Sequence, residues 1–514
     1  MDPSVPLPAL EEMYDWAHRA RTLGVLPESK LDALLHLPQA NDTFDAYLQL
    51  MGFPMRYRRD KTFEEVEREQ EAWLQQAGDR ITPATLDAWL EMVRRIIDEY
   101  ARSHDHLFIG RIQALLEIAT ARDPSVGRAM VDRLAAVDDR LRPLLFVPLV
   151  ALRKARPDTF QAYADQWLAD GRRDLLRHVA QALALTMPWG VIRPDDLDLV
   201  RALVDVDDPA IDRAVIACLP VVGEQDGTEA VELAKRIAGR GDQRSLGALA
   251  AVLPTPHTRQ YAGTQVIRNV PVDDYLTLVH ALEGLDQLDY HVECCLEHVA
   301  GIVPDAVIDF FEHRIARAAS AGPTVDPIPH TLADGQLVDH LQASGRYADV
   351  LRRVRDLTLQ SGQMERWRAR ALFHLLSPRR DRAGGIDDPI IDDTIAGILR
   401  EWVVPRDRER LIAVALLLRE YAVTERYLQL ARDTIAAGRG DKDVEAEVIA
   451  AFGTTGAQCG PLSDTFRQRA DMVRHWEQDG SLYVRRCAEK LKRRLLGHAD
   501  QSDAVTEDLL EETL

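Results

Sequence analysis

Apolar side chains recur every three or four residues along nearly the whole chain. This period places them on one face of an α-helix, whereas a half-buried strand would alternate apolar and polar residues. No run of strand length shows a convincing alternation of that kind. The pattern predicts an all-α protein of about 25–28 helices joined by short loops. The clearest series are Leu86, Trp89, Leu90, Val93 and Ile97; Leu175, Val179, Leu183 and Met187; and Leu411, Val414, Leu418 and Tyr421.

Proline marks the predicted start of many of these helices. A proline in the first helical turn loses no intrahelical hydrogen bond, because its amide would have had no partner there. Asp123, Asp208 and Asp388 each directly precede such a proline, and we expect their carboxylates to cap the first amides of the following helix. The prolines placed in this way are Pro83, Pro124, Pro157, Pro194, Pro209, Pro271, Pro304 and Pro389.

The three Asp-Pro segments share the residues that follow them. Each has valine or isoleucine three residues after the aspartate, and in two copies an arginine follows at the fifth position, Arg128 and Arg213. Asp123, Asp208 and Asp388 are separated by 85 and 180 residues. These offsets are close to two and four units of about 43–45 residues, which is the length of a two-helix repeat.

These segments, together with Tyr483-Val484-Arg485-Arg486 near the end of the chain, resemble the inner helix of HEAT-like repeats. The resemblance implies a right-handed α-solenoid of antiparallel helix pairs, in which each pair covers the apolar face of the next. It also implies that the aspartates and arginines are structural, capping helices and cross-linking successive turns. Such solenoids mostly bind other macromolecules, so the resemblance favours a binding protein over an enzyme.

The sequence divides into five regions. Residues 1–122 contain helices and many aromatic residues without a clear repeat, and we expect an N-terminal helical cap or subdomain there. HEAT-like repeats are predicted over 123–322 and a second set of helical repeats over 336–499. Glycine and proline make 323–335 a linker-like loop. Residues 500–514 carry six acidic residues and no basic one, and we expect this tail to fold back over the basic residues between Arg485 and Arg494.

Composition and charge narrow the range of functions. The 514 residues are 46% hydrophobic and 28% charged, which is typical of a folded protein. The net charge of −20 argues against a protein that coats nucleic acid or an anionic membrane with its whole surface. No segment has the roughly 18–20 apolar residues of a membrane span, and no secretory signal is recognisable. Together with five irregularly spaced cysteines, these features predict a cytoplasmic protein with free thiols.

One predicted helix carries a possible metal-ligand pattern. His291, Cys294, Cys295 and His298 lie at positions i, i+3, i+4 and i+7. Four ligands on one helix cannot close around a single ion, because the outer pair is about 10 Å apart along the axis. We therefore expect ordinary buried thiols and keep His291, Cys295 and His298 only as weak metal candidates. No cofactor and no catalytic residue are predicted.

An arginine-rich segment is the main candidate for binding. Guanidinium groups pair in bidentate fashion with carboxylates and phosphates. In so acidic a chain, the arginines of residues 346–382 could bind an acidic peptide or a nucleic-acid backbone, or could belong to a solvated surface laced with salt bridges. The candidates are Arg346, Arg352, Arg353, Arg355, Arg366, Arg368, Arg370, Arg379, Arg380 and Arg382.

The sequence favours a non-enzymatic scaffold or adaptor that binds a protein partner on the concave face of a solenoid. One alternative is a sensor or scaffold component of a multi-part bacterial system, since the excess of arginine over lysine suggests a bacterial genome. Another is nucleic-acid binding through residues 346–382, including a HEAT-like DNA glycosylase. A glycosylase would need an aromatic-lined pocket on a basic face, and only Tyr347 and Trp367 lie among these arginines.

Overall fold

The protein is all-α, as the periodicity predicts. The computed structural model describes residues 5–51, 61–104, 109–137, 139–189, 193–256, 266–321, 325–329, 336–359, 362–380, 388–453 and 462–511. These residues form 28 α-helices and several short 3-10 turns. The strands in the described part are two residues long, β1 (Arg379–Arg380) and β2 (Asp388–Pro389), and they pair antiparallel.

The chain divides into two compact units, Met1–Ile237 and Ala238–Leu514. The boundary falls inside the stretch 123–322 that the sequence predicts as one set of repeats. The helices of the first unit are α1 (Leu7–Thr22), α2 (Glu28–Leu35), α3 (Leu37–Ala40), α4 (Asp42–Leu50), α5 (Phe63–Arg80), α6 (Leu86–Ala101), α7 (Gly110–Arg122), α8 (Pro124–Ala136), α9 (Phe146–Ala155), α10 (Pro157–Ala169), α11 (Arg173–Thr186), α12 (Pro194–Asp205), α13 (Pro209–Ile216), α14 (Leu219–Gln225) and α15 (Gly227–Ala238), which ends at the boundary.

In the first unit, the helices from α5 onward pack mainly on their near neighbours in sequence. The odd-numbered helices α5, α7, α9, α11 and α13 contact one another in that order, and α8, α10 and α12 each pack on two of them. The first helices differ, because α1 packs on α6 and α4 packs on both α6 and α7. The amide of Leu7 donates to the carboxylate of Glu99 at 2.6 Å, which fixes the start of α1 against the end of α6.

The second unit shows the same neighbour-to-neighbour packing. Its main contacts join each helix to one of the next three along the chain, for example α21 to α22 and α23, and α24 to α25 and α26. The helices are α16 (Gln243–Val252), α17 (Val272–Leu282), α18 (Tyr290–Ala300), α19 (Pro304–Ala321), α20 (Gln336–Ala343), α21 (Tyr347–Leu357), α22 (Gln363–Leu375), α23 (Asp393–Val403), α24 (Arg408–Leu417), α25 (Glu425–Gly438), α26 (Lys442–Gly453), α27 (Leu462–Met472) and α28 (Leu482–Glu511).

The apolar positions that predict the helices form the core. Leu86, Leu90, Val93 and Ile97 are buried along one side of α6, while Trp89 beside them is half-buried. Burying one such leucine or isoleucine contributes about 1.5–3 kcal/mol, and each helix contributes several. The other two series are also buried, at Leu175, Val179, Leu183, Met187, Leu411, Val414, Leu418 and Tyr421.

Two of the three predicted aspartate caps are confirmed. The Asp123 carboxylate accepts a hydrogen bond of 2.9 Å from the amide of Ser125, and α8 begins at Pro124. The Asp208 carboxylate does the same for the amide of Ala210 at the start of α13. These caps satisfy amide groups that have no partner inside the helix. Other predicted prolines that begin helices are Pro157, Pro194 and Pro304.

The prediction at Asp388 is wrong. Asp388–Pro389 is β2, and helix α23 begins only at Asp393, where the Asp392 carboxylate accepts from the amide of Ile395 at 2.8 Å. A residue before proline favours extended backbone, and here that conformation pairs with β1 instead of capping a helix. Pro83 likewise lies in a turn, three residues before α6 begins.

Arginines cross-link neighbouring helices in both units. Each donates to a carboxylate 28 to 47 residues away in sequence, on an adjacent helix or the loop before one. These separations reflect the packing of successive helices. Many of the arginines therefore form ion pairs that join one helix to another. Examples are Arg142–Asp174, Arg153–Asp196, Arg177–Asp208 and Arg201–Glu229 in the first unit, and Arg353–Glu312, Arg355–Glu401 and Arg432–Asp479 in the second.

The acidic tail does not fold back as predicted. Helix α28 runs without a break from Leu482 to Glu511, so its acidic end extends away from its basic beginning along one axis. Asp503 pairs with Arg467 of α27, and Lys490 pairs with Glu445 of α26. These two charges of α28 are therefore matched by other helices.

Candidate functional site

Four predicted binding arginines are committed to ion pairs within the fold. Arg346, Arg352, Arg353 and Arg355 lie on or beside α21, which packs between α19 and α23. Arg353 donates to Glu312 and to Asp309, both at 2.6 Å. The remaining pairs are Arg346 with Asp305 and Asp349, Arg352 with Asp349 and Glu401, and Arg355 with Asp356 and Glu401.

The other predicted arginines are spread over several environments. Arg366 and Arg370 lie one turn apart on α22 and line a pocket, while Arg368 on the same helix is buried. Arg379 is exposed in β1. The backbone of Arg380 also belongs to β1, and Arg382 lies outside the described residues.

The pocket lies between α22 and α24 and has a volume of about 470 Å³. One wall is the first half of α22, with Arg366 and Arg370. The second wall is α24 and the 3-10 turn after it, Leu418–Glu420. It contributes three charged side chains, Arg408, Glu409 and Arg419, and three apolar ones, Ile412, Ala413 and Leu416. Glu447 of α26 and Leu359 complete the charged and apolar parts of the lining.

The two helices meet one turn beyond Arg370. There the imidazole Nε2 of His374 lies 2.7 Å from the carbonyl oxygen of Leu417, in a contact that is fully inside the protein. Burial and the nearby charge of Arg370 together lower the pKa of His374 to about 4, although the hydrogen bond to Leu417 opposes this shift. The ring is therefore neutral at pH 7 and donates its Nε2 hydrogen to the carbonyl, which ties α22 to α24.

Two guanidinium groups in this pocket are incompletely satisfied. The Nε atoms of Arg370 and Arg419 are buried, and neither has a hydrogen-bond partner among the described residues. Burial lowers the pKa of Arg370, the nearby charge of Arg419 lowers it further, and Glu447 and Glu420 only partly oppose this effect. A buried donor without a partner costs about 1–3 kcal/mol. The two side chains therefore carry an unfavourable cost in the free protein.

Ion pairs already balance part of the charge of the pocket. Arg419 pairs with Glu447, and Arg408 at the mouth pairs with Asp441 and Asp443. Glu409 also lines the pocket, so acidic side chains interrupt its positive lining. The lining can thus accept a single compact anion beside the half-buried side chains of Ile412 and Leu416.

Arg408 and Arg419 are not among the binding residues predicted from the sequence. They lie outside the arginine-rich segment 346–382 and join Arg370 only because α24 lies beside α22. A pattern could have identified this wall, since Arg408, Ile412 and Leu416 follow one another at four-residue spacing on one helical face.

The weak metal candidates on α18 are not brought together with further ligands in the described residues. Cys294 and Cys295 are buried free thiols, as predicted. Burial raises the pKa of Cys295 to about 12, and its thiol lies 3.6 Å from the carbonyl oxygen of Ala250. His291 is exposed, and the ring of His298 packs edge-on against Tyr275.

The sequence was compared with protein-family models and with curated proteins, and neither comparison gave a match. Among the described helices, none combines the length and the hydrophobicity needed to cross a bilayer. The chemistry of the pocket is therefore the basis on which a function is proposed.

Proposed function

We propose that the protein is a non-enzymatic α-solenoid scaffold, built of HEAT-like helical hairpins in a right-handed array, that binds an acidic segment of a protein partner in the pocket between α22 and α24. The fold proposal is supported by the local order of helix contacts and by the arginine pairs between successive helices. In an array of this kind each helix pair is stabilised mainly by its neighbours, so a long surface remains available for binding.

The observation that carries the proposal is the pair of unsatisfied Nε atoms on Arg370 and Arg419. A carboxylate hydrogen-bonded to both Nε atoms would satisfy both donors and would offset the charge of Arg370, since Arg419 is already paired with Glu447. Hydrogen bonds between guanidinium and carboxylate are charge-assisted and contribute about 1.5–3 kcal/mol each. A ligand anion thus gains from groups that the free protein leaves in an unfavourable state.

The lining favours a peptide carboxylate over a nucleic-acid backbone. A backbone of phosphates requires several cations in succession, because its affinity comes from repeated neutralisation of charge. Here Glu409 and Glu447 interrupt the positive surface, and Arg408 is held by Asp441 and Asp443. Apolar side chains beside the arginines match a partner residue such as leucine next to glutamate or aspartate.

A binding experiment with the full chain tests this proposal. The probe is a fluorescein-labelled peptide of alternating glutamate and leucine, followed by anisotropy, with the matching glutamine–leucine peptide as its neutral counterpart. We expect the acidic peptide to bind and the neutral one not to. Arg370→Met and Arg419→Met should each weaken binding at least about tenfold, the equivalent of one charge-assisted hydrogen bond.

The matched control is Arg410→Met, because Arg410 is an exposed arginine on α24 that does not line the pocket. It should leave peptide affinity unchanged. Absence of binding, or equal loss in all three variants, would contradict the proposal. A short single-stranded DNA serves as the competing probe, and tighter binding of DNA that depends on Arg370 would overturn the peptide assignment in favour of nucleic acid.

A further inference from the structure

A second cluster of polar groups lies where the end of α17 faces the middle of α19. It consists of His280, Glu283 and His313, whose ligand atoms all lie within 4.8 Å of one another. His280 is on the last turn of α17, Glu283 directly follows that helix, and His313 is on α19. None of these residues belongs to the arginine pocket or to the histidine and cysteine pattern of α18.

The geometry of the cluster matches that of a small tetrahedral metal site. The Nδ1 atom of His280 lies 2.8 Å from the nearer carboxylate oxygen of Glu283. The Nδ1 atom of His313 lies 3.2 Å and 3.1 Å from the two oxygens of the same carboxylate. Ligands bound at about 2.0–2.1 Å around tetrahedral Zn²⁺ are separated by about 3.3 Å. The two distances from the imidazoles to the carboxylate are therefore close to the required spacing, and the two imidazole nitrogens lie within 4.8 Å of each other.

The backbone holds Glu283 in place while its side chain faces the two imidazoles. The carbonyl oxygen of Glu283 accepts hydrogen bonds from Arg314 at 3.1 Å and from Arg317 at 3.2 Å. The guanidinium of Arg317 forms its ion pair with Asp286 at 2.8 Å and not with the carboxylate of Glu283. The two histidine rings are exposed and stand 5.4 Å apart, which leaves a path for an ion from solvent.

We propose that His280, Glu283 and His313 bind one divalent transition-metal ion of the Zn²⁺ class, with water in the remaining position. Two imidazoles and one carboxylate suit Zn²⁺, whereas Ca²⁺ and Mg²⁺ require oxygen ligands. In the metal-free state the imidazoles hydrogen-bond the carboxylate, and metal binding replaces those hydrogen bonds by coordination. Because the ligands come from both helices, the ion joins α17 to α19. This site is independent of the arginine pocket.

Metal titration of the full chain tests the site. After treatment with a chelator, Co²⁺ is added and its visible absorption is followed, and Zn²⁺ binding is measured by calorimetry. We expect one ion per chain and the intense bands of four-coordinate Co²⁺. His280→Ala and His313→Ala should each weaken Zn²⁺ binding at least tenfold, and Zn²⁺ should raise the melting temperature of the wild-type chain but not of these variants.

The matched control is His291→Ala, since His291 is an exposed histidine on the neighbouring helix α18. Its Zn²⁺ affinity should equal that of the wild-type chain. Both site histidines are exposed, so their removal leaves the core intact, and circular dichroism verifies that each variant is folded. Substoichiometric binding, or affinity that survives in the His280 and His313 variants, would overturn the assignment.

Discussion

Arg355 on α21 donates a hydrogen bond of 2.8 Å to the carboxylate of Glu401 on α23, 46 residues further along the chain. The same guanidinium donates to the carbonyl oxygen of Ile398 at 2.7 Å and lies 4.6 Å from the ring centre of Trp402. Its side chain is only 7% exposed. A charge in the densest part of the arginine-rich segment is therefore a structural link between two helices.

Replacing Arg355 by alanine should destabilise the second unit strongly. Alanine would leave the buried carbonyl oxygen of Ile398 without this donor, at about 1–3 kcal/mol, and would also remove the guanidinium from the ring of Trp402. The control is Arg352→Ala, whose side chain pairs with the same Glu401 but is 42% exposed. We expect that change to cost less than about 1 kcal/mol. Urea denaturation measures both, and equal losses would show that burial does not determine the strength of these pairs.

Arg370→Met should have the opposite effect in the free protein. Methionine replaces the unbranched part of the side chain and removes a partly desolvated guanidinium whose Nε has no hydrogen-bond partner among the described residues. We expect the free energy of unfolding to rise by about 1 kcal/mol, because replacing a poorly hydrogen-bonded buried charge by an apolar side chain is often stabilising. Residues that bind ligands are commonly retained although they lower stability.

The control for Arg370→Met is Arg408→Met, at the mouth of the same pocket. Arg408 is paired with Asp441 and Asp443, so its removal should be neutral or slightly destabilising. Thermal unfolding without added ligand distinguishes the two variants. If Arg370→Met lowers the melting temperature more than Arg408→Met, then Arg370 stabilises the free protein. That result would contradict the proposal that the pocket binds an anion.

How far the sequence predicts this structure depends on the range of each interaction. The helices could be predicted, because the buried face of a helix repeats locally, as at Leu175 and its successors. The cap at Asp208 could be predicted because a capping carboxylate acts on amides within three residues. The role of an arginine could not be predicted, because it depends on which side chains a neighbouring helix places beside it. Arg355 forms an ion pair with Glu401. Arg419 lines the pocket only because α24 lies beside α22.

Arg314 presents a different kind of buried charge. It is fully buried on α19, and burial lowers its pKa to about 10. Its guanidinium donates to four backbone carbonyl oxygens, those of Glu283, Leu285, Asp326 and Pro327, at 2.5 to 3.1 Å. This side chain therefore joins the loop after α17 to the segment 325–329.

Arg314→Lys should destabilise the second unit by about 3 kcal/mol or more. Lysine keeps the charge but has no planar fork, so the carbonyls of Asp326 and Pro327, to which Arg317 does not donate, lose this donor at about 1–3 kcal/mol each. Arg317→Lys is the control, because Arg317 bonds two of the same carbonyls from a side chain that is 34% exposed. We expect a loss below about 1 kcal/mol for the control in urea denaturation. A small effect at Arg314 would mean that water replaces the guanidinium.

The neutral imidazole of His374 should make the stability of the second unit depend on pH. Its pKa is about 4 in the folded chain, against about 6.5 in an unfolded one, because burial and the charge of Arg370 disfavour the protonated ring. Below pH 6.5 the unfolded chain therefore binds a proton that the folded chain does not. The stabilisation is complete above about pH 6.5 and is lost as the pH falls toward 4.

His374→Gln isolates this contribution. A glutamine amide can donate to the carbonyl of Leu417 but does not titrate, so the difference in unfolding free energy between wild type and variant should change by about 2 kcal/mol between pH 7 and pH 5. Taking the difference cancels other groups, among them His178 in the first unit, whose pKa is also lowered to about 4 by burial. Urea titrations at the two pH values measure it. A difference that does not vary with pH would mean that the ring is hydrated or already charged, and the link it forms between α22 and α24 beside the arginine pocket would then be open to solvent.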